Sequence, residues 1–323
     1  MRRTPLKYAR LGSSGLKVSP TCLGTNMMGA YVDERRSAEL IDVFLETGGN
    51  FIDTADIYSA GASEEAIGKA LKRRRHEAIV ATKVAGPAGE GPNDKGASRA
   101  HIMASAEASL RRLQTDYIDL YVLHFWDNDT ALSESLRAMD DLVRQGKVRY
   151  VGVSNYQSWQ AVQALWTADQ LGLDPIRSVQ LRYSFLRREP EAEAFPAAIE
   201  HGLAVTPYWL LEAGVFTGKY RRGEKPDTDS RFAHRPGMAD MFMNDTTLDV
   251  AERVQAIAER TGHSPTDVVI AWALAKPAIT SVIIGTSRVE QVRANNAAAD
   301  VRLSDEDLAE LDQLGAGPPP PAR

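Results

Sequence analysis

Four side chains capable of acid–base chemistry stand at or just beyond the ends of predicted strands. Asp53 is the last residue of one apolar run, Lys83 and His124 directly follow the next two runs, and Tyr58 comes five residues after Asp53. Because the carboxyl ends of neighbouring parallel strands surround one pocket in a barrel, we expect these four side chains to lie together.

These residue types suit the reduction of a carbonyl group. Hydride addition leaves negative charge on oxygen, which needs a proton, and a free tyrosine has a pKa near ~10. A nearby ammonium favours the phenolate, so we expect Lys83 to lower the pKa of Tyr58, with Asp53 holding Lys83 charged through an ion pair. His124 can hydrogen-bond the carbonyl oxygen and orient the substrate, or relay the proton. The pattern predicts Tyr58 as general acid.

Other interpretations of the same residues remain open. Asp53 can be a helix cap or turn former, Lys83 a solvated strand end, and His124 a structural side chain. Lys83 can also be the Schiff-base nucleophile of a barrel lyase.

Short apolar runs alternate along the chain with longer segments of helical spacing. Continuously apolar strands are typical of parallel sheets covered on both faces. Eight strands, each followed by helix, favour a (β/α)8 TIM barrel, preceded by a hairpin over 6–18. The open doubly wound alternative is disfavoured because no G-x-G-x-x-G follows the first strand. The predicted strands are Thr21–Leu23, Phe51–Asp53, Ala78–Thr82, Ile118–Leu123, Val148–Val153, Ser178–Leu181, Leu203–Thr206 and Val282–Ile284.

A single domain over 1–323 accommodates the whole pattern. Residues 220–246, rich in Gly, Pro, Asp and Met, predict a mobile loop, and 85–97 predict a second loop at the same face. Residues 315–323 contain four consecutive prolines and predict a flexible tail. The predicted helices are Ser37–Glu46, one opening at Ser63, Ser98–Arg112, Leu132–Arg144, Ser158–Ala168, Glu191–Glu200, Leu248–Arg260, Thr266–Leu274, Val289–Ala298 and Glu306–Leu314.

Composition narrows the class of protein. The net charge of -5 gives no reason to expect nucleic acid or an anionic membrane as partner. Cys22 is the only cysteine, which rules out an intrachain disulfide and a cysteine-based zinc cluster. The first residues include Arg2 and Arg3 rather than an apolar signal sequence, and we expect a cytoplasmic protein. Its oligomeric state stays open.

Several motifs resemble the aldo-keto reductase superfamily over nearly the whole chain. They are Asp-Thr-Ala-Asp-Ile-Tyr at 53–58, Thr-Lys at 82–83, Leu-His at 123–124 and Gly-Lys-Val-Arg-Tyr-Val-Gly-Val-Ser-Asn at 146–155. The resemblance implies a (β/α)8 barrel that binds NAD(P)H in extended form. It also implies that the Asp, Tyr, Lys and His quoted above form a catalytic tetrad.

The resemblance further implies a cofactor site. Ser154, Asn155 and Gln180 match residues that hold the nicotinamide carboxamide, and Tyr208 matches the aromatic on which the nicotinamide stacks. The matches at the adenosine end are Gly285, Thr286, Ser287, Arg288, Gln291 and Asn295. Because helix N-termini favour phosphate and arginine favours a 2′-phosphate, we expect NADPH (NADP+).

The chain departs from this family's common pattern at two places. It has Gly285-Thr286 where many members have Lys-Ser, and Trp209-Leu210 where many have Ser-Pro. We expect Trp209 to narrow the substrate mouth.

The substrate pocket is expected to include Met27, Tyr31, Trp126 and Trp209. Aromatic walls suit aryl or medium-sized apolar carbonyls, in line with a resemblance to aryl-alcohol dehydrogenases. A small-molecule carbonyl is thus the expected partner. The alternative function is an NADPH-binding regulatory subunit resembling the potassium-channel β subunits of this superfamily.

Overall fold

The computed structural model describes residues 6–227, 231–234 and 236–315. An antiparallel hairpin comes first, formed by β1, Ala9–Arg10, and β2, Lys17–Val18. Its turn needs glycine at position 12, where φ is 57° and a Cβ atom would lie 2.4 Å from the carbonyl oxygen of Arg177. The predicted hairpin is confirmed.

Eight parallel strands form the central sheet, each pairing with its neighbour in chain order. Sheet closure follows from backbone bonds between its two ends: Ile283 N donates to Pro207 O at 2.9 Å and Thr280 N to Val205 O at 2.9 Å. The fold is therefore the predicted (β/α)8 TIM barrel and not an open sheet. The strands are β3 Thr21–Gly24, β4 Phe51–Asp53, β5 Ile79–Val84, β6 Ile118–Leu123, β7 Val148–Ser154, β8 Ser178–Gln180, β9 Ala204–Val205 and β10 Val282–Gly285.

Helices lie between the strands, and several of them begin at side chains that cap the first turn. Asp33 accepts from Arg36 N at the start of the first helix, and Ser98 accepts from His101 N at the start of the third. The helices are α1 Glu34–Glu46, α2 Ala62–Leu71, α3 Arg99–Leu113, α4 Leu132–Arg144, α5 Ser158–Leu171, α6 Ala194–Glu200, α7 Arg231–His234, α8 Pro236–Phe242, α9 Asp245–Thr261, α10 Pro265–Leu274, α11 Val289–Ala298 and α12 Asp305–Leu311.

One predicted helix begins later than expected. The helix was predicted over Glu191–Glu200. A short 3-10 turn, Glu189–Glu191, ends at its first residue, and α6 begins only at Ala194. Pro196 lacks an N–H group, so it fits only in the first turn of a helix, which sets this later start.

The barrel interior is filled by apolar side chains from alternate strand positions. Leu11 and Val18 of the hairpin, both fully buried, pack against its lower end. This closes the N-terminal face and leaves the carboxyl ends of the strands as the open face. The remaining buried members of this cluster are Cys22, Phe51, Ile79, Ala81, Leu120, Val122, Ala204 and Ile283.

The segment 220–246 is not irregular throughout, contrary to the sequence prediction. It contains α7 and α8, whose Phe232 and Phe242 are buried, and the Tyr220 and Phe232 ring centroids lie 4.6 Å apart. Burial of these rings stabilises short helices that local composition disfavours. Residues 228–230 and 235 of this segment, and 316–323 of the predicted tail, lie outside the described residues.

The loop 85–97 contains no helix or strand, as predicted. None of the helices within the described ranges combines the length and the apolar character needed to cross a bilayer.

Candidate active site

The barrel register brings the four predicted side chains to one place. Asp53 ends β4, Lys83 lies near the end of β5 beside Val122 of β6, and His124 directly follows β6. Tyr58 begins a 3-10 turn just after β4. These are the carboxyl ends of three consecutive parallel strands, which is why residues far apart in sequence meet here.

Lys83 is the centre of this cluster and is completely buried. Its Nζ lies 2.6 Å from Asp53 Oδ1, 2.7 Å from Thr54 O and 3.4 Å from Tyr58 OH. Burial alone lowers the pKa of Lys83, but the neighbouring Asp53 carboxylate and Tyr58 hydroxyl outweigh that effect and the net pKa is raised. Lys83 is thus an ammonium at neutral pH, not the free amine that a Schiff-base lyase requires.

Tyr58 does not have the lowered pKa that the sequence predicted. Burial raises the pKa of this phenol, and the ammonium of Lys83 opposes the shift without reversing it. The cost of desolvating a phenolate exceeds the attraction of a single ammonium that is itself paired with Asp53. Tyr58 therefore keeps its proton at neutral pH.

His124 is neutral at the same pH. Burial, followed by the charge of Lys83, lowers its pKa to about 3. Its ring stacks on Phe125 with centroids 4.3 Å apart and lies edge-on to Tyr58 at 6.0 Å. Nδ1 is buried with no hydrogen-bond partner among the residues described. A neutral imidazole at this point can orient a ligand by hydrogen bonding but cannot supply a proton from a charged form.

A cavity of about 790 Å³ opens above these residues at the carboxyl face of the barrel. Tyr58 and His124 lie at its floor, whereas Lys83 and Ser154 are buried beneath it. The other predicted residues that line it are Met27, Tyr31, Asp53, Asn155, Gln180, Tyr208, Trp209, Gly285, Thr286, Ser287, Arg288, Gln291 and Asn295.

Trp126 departs from the predicted position. Its ring packs edge-on against Tyr156 and Trp159, with centroids 5.2 and 5.7 Å away, and its Nε1 donates to Asn128. These contacts turn the indole away, and the neighbouring Phe125 lines the cavity instead. The prediction of a cavity-lining Trp126 is therefore wrong.

The residues matched to the carboxamide site form one hydrogen-bonded group. Asn155, held at φ 58°, donates from Nδ2 to His124 O at 3.0 Å and accepts from Tyr208 OH at 2.5 Å. Gln180 donates to Asp53 Oδ2 at 2.8 Å. This network connects the strand ends of β6 to β9 and links Gln180 directly to the carboxylate that holds Lys83.

At the other end of the cavity, the loop after β10 is organised by Gln291. Its Oε1 accepts from Thr286 Oγ1 at 2.7 Å and from Ser287 N at 3.3 Å. Arg288 is the N-cap residue of α11, and Asn295 is buried about two helical turns further along the same helix. The loop and the helix start offer polar donors to a phosphate-bearing ligand.

Among the cavity-lining or adjoining residues that sequence reasoning missed are Phe125, Arg182 and Glu212. Arg182 comes two residues after Gln180 in extended backbone, so the alternation of side chains along a strand places it on the same side. That period-two signal was present in the sequence. Glu212 had none, because its position depends on a backbone turn with positive φ at Trp209, Glu212 and Ala213.

Comparisons with known proteins agree with this architecture. The model of the Aldo/keto reductase family matches residues 20–316. The chain is 36% identical over 324 residues to an uncharacterized oxidoreductase, YrpG, of Bacillus subtilis, covering 97% of both chains. It is 35% identical over 303 residues to a probable voltage-gated potassium channel subunit beta of Arabidopsis thaliana, covering 92% of both.

A third relative is an aryl-alcohol dehydrogenase of Pestalotiopsis microspora, 33% identical over 315 residues, which are 93% of this chain and 80% of that one. The family match spans all eight strands and the cavity-lining residues that follow them. The chain belongs to the aldo/keto reductase family and is an NAD(P)H-dependent oxidoreductase.

Proposed function

We propose that this protein reduces an aldehyde or ketone to an alcohol with NADPH, and that Tyr58 is the general acid. The observation that carries the proposal is the contact of a buried, charged Lys83 with a protonated Tyr58 at the floor of the cavity, with 3.4 Å between Nζ and OH. A phenol held beside an ammonium is suited to protonate an oxygen that gains negative charge.

The raised pKa of Tyr58 is compatible with this role. An alkoxide is a much stronger base than a phenolate, so a phenol above its ordinary pKa still transfers its proton downhill. Once Tyr58 has lost the proton, Lys83 stabilises the phenolate through the attraction it already exerts. Asp53 keeps Lys83 charged and in place, and Gln180 holds the second oxygen of Asp53.

Neutral His124 complements the acid. Its pKa of about 3 leaves the ring uncharged, so it orients the carbonyl oxygen by hydrogen bonding instead of competing with Tyr58 as a proton source. The geometry allows both groups to face the same oxygen, because their rings lie edge-on, 6.0 Å apart, on the cavity floor.

The cavity fits an extended dinucleotide. It runs from His124 to the loop at 285–288, and its two ends carry different donors. Asn155 and Gln180 would hold a carboxamide, Tyr208 would support a flat ring, and Ser287 with Arg288 would meet a 2′-phosphate. NADPH, when bound, supplies the hydride. The shape and donor set support NADPH as the cofactor.

Tyr58→Phe tests the proposed acid. We expect kcat with an aromatic aldehyde to fall by about 10²–10⁴-fold while the Kd for NADPH, read from tryptophan fluorescence, stays unchanged. Tyr121→Phe is the control, since Tyr121 is a buried tyrosine of β6 whose hydroxyl faces Ile102 O. A fully active Tyr58→Phe enzyme contradicts the assignment.

The similarity to a probable potassium channel subunit beta favours a second candidate, a regulatory subunit that binds NADPH and turns over slowly. Uniformly slow reduction across a panel of aldehydes and ketones, together with a stably co-purifying partner, distinguishes it. Rapid turnover of at least one carbonyl compound favours the reductase.

A further inference from the structure

We propose that Arg182 is the specificity-determining residue of the substrate pocket and that it selects aryl aldehydes carrying a carboxylate. The inference rests on the proposed reductase function and names the substrate class of the same site.

Arg182 lies at the reacting end of the cavity. It follows β8 two residues after Gln180, so both side chains point to the same side of the extended chain, about 7 Å apart along it. Gln180 contacts Asp53. Arg182 also lines the cavity, two residues further beyond the carboxyl end of β8. Its backbone forms a parallel bridge to Tyr208 on the neighbouring strand segment. The loop at 285–288, which we propose to bind the 2′-phosphate, follows β10 and not β8.

Three groups fix the guanidinium. Glu212, 2% exposed, accepts from Nη2 of Arg182 at 2.9 Å, and its other oxygen accepts from Ser184 Oγ. The rings of Trp209 and Phe242 lie 5.1 and 5.7 Å from the guanidinium carbon. An arginine held in this way loses little further conformational entropy when a ligand binds.

The supporting segment has an unusual backbone. Trp209 and Glu212 adopt φ values of 62° and 41°, a region that residues other than glycine seldom occupy. This conformation places the indole and the carboxylate on the same guanidinium. Backbone strain of this kind persists where the surrounding structure holds it and is common at ligand clamps.

The guanidinium keeps unused donors. It carries five N–H bonds, and within the described chain its only hydrogen bond is the one to Glu212, while Nε is buried without a partner. A carboxylate is the ligand group that matches the planar fork of arginine. With Phe125, Tyr31 and Trp209 also lining the cavity, the matching substrate is an aromatic ring with an aldehyde at one side and a carboxylate at the other.

The test compares 4-carboxybenzaldehyde with methyl 4-formylbenzoate, in which the same group is neutral. For the wild-type protein with NADPH we expect kcat/KM to favour the carboxylate about tenfold, mainly through KM, because a remote charge pair binds substrate and transition state alike. Arg182→Met should bring the ratio close to one and leave the Kd for NADPH unchanged. Arg187→Met, an exposed arginine outside the cavity lining, should keep the wild-type ratio.

Arg182→Met leaves Glu212 buried without its cation, so the double variant Arg182→Met/Glu212→Gln provides a second protein if the single one fails to fold. A wild-type ratio near one, or a ratio unchanged in both variants, overturns the inference. So does a weakened Kd for NADPH with an unchanged ratio, which would assign Arg182 to the cofactor pyrophosphate.

Failure of the reductase function is separable. If the wild-type protein reduces neither aldehyde, calorimetric titration with 4-methylbenzoate, with and without NADP+, decides the matter. Binding to wild type that is lost in Arg182→Met keeps the carboxylate site and removes only the reductase proposal. Absence of binding to wild type overturns the site as well.

Discussion

The floor and the rim of the cavity are built on different principles. At the floor and just beneath it, Asp53 and Lys83 are almost wholly withdrawn from water and come from strand ends fixed by the barrel register. At the rim, Trp209 comes from the loop after β9 and Arg288 from the start of α11, both beyond the strand ends. The comparison teaches that the chemistry belongs to the shared scaffold, whereas selectivity belongs to connections that each chain can vary.

The contrast also concerns charge. A buried ion pair is costly to break because the remaining ion stays out of water, whereas partly exposed pairs are screened and contribute little. Substitutions on the floor should therefore change rate and stability strongly, and substitutions at the rim should change affinity and selectivity modestly.

Lys83→Met should have the largest effect. We expect kcat to fall about 10³-fold because Tyr58 loses the ammonium that stabilises its phenolate, and the free energy of unfolding to fall by about 3–5 kcal/mol because Asp53 is left unpaired. Urea unfolding and single-turnover kinetics measure the two effects separately.

The double variant Asp53→Asn/Lys83→Met sharpens this result. It should recover most of the lost stability, since no buried charge remains, yet stay as inactive as the single variant. Recovery of activity with stability would mean that Lys83 acts only through folding, and the contrast between floor and rim would lose its chemical basis.

Asp56 offers a second, somewhat smaller effect on the floor side. Burial, followed by the charge of Glu64, raises its pKa to about 7, and neither carboxylate oxygen has a hydrogen-bond partner among the described residues. The unfolded value is near ~4, so the folded protein binds more protons between these two pH values, and stability falls as pH rises through 7.

Asp56→Asn should remove this slope. The free energy of unfolding of Asp56→Asn minus that of wild type should be about 2 kcal/mol larger at pH 8 than at pH 5. Urea titrations at the two pH values measure the difference, and Asp116→Asn, an exposed aspartate, is the control. Parallel pH profiles for Asp56→Asn and wild type would show that this carboxyl is solvated.

Arg288→Ala tests the rim at the cofactor end. We expect the Kd for NADPH to rise about tenfold and that for NADH to change little, because only NADPH carries the 2′-phosphate that a guanidinium recognises. Arg293→Ala on the same helix, where Arg293 lies 3.7 Å from Glu46, is the matched control. An equal loss for both cofactors would place Arg288 at another part of the dinucleotide.

Sequence reasoning reached the floor more fully than the rim, for a physical reason. Barrel strands are recognisable in the sequence as apolar runs. A polar residue at the carboxyl end of such a run lies at the open face of the barrel, and this predicted the positions of Asp53, Lys83 and His124. The pKa of Tyr58 was predicted in the wrong direction because the cost of its burial depends on packing that no local pattern reveals.

At the rim, the local structure is determined by contacts between residues that are distant in sequence. Helices α7 and α8 form because Phe232 and Phe242 are buried, although the segment 220–246 that contains them is rich in loop-forming residues. Glu212 reaches Arg182 only through a turn whose φ values cannot be inferred from its residue types.

The smallest effect distinguishes two adjacent aromatic residues of the rim. Trp126→Leu should change kcat/KM for an aromatic aldehyde by less than about twofold, because its ring packs on Tyr156 and Trp159 rather than on the cavity. Phe125→Leu should raise KM about threefold, since it removes part of an aromatic wall that also stacks on His124. Steady-state kinetics of the two variants measure the difference. The reverse order would mean that Trp126 turns into the cavity when substrate binds, so that the rim, unlike the floor, is rearranged by its ligand.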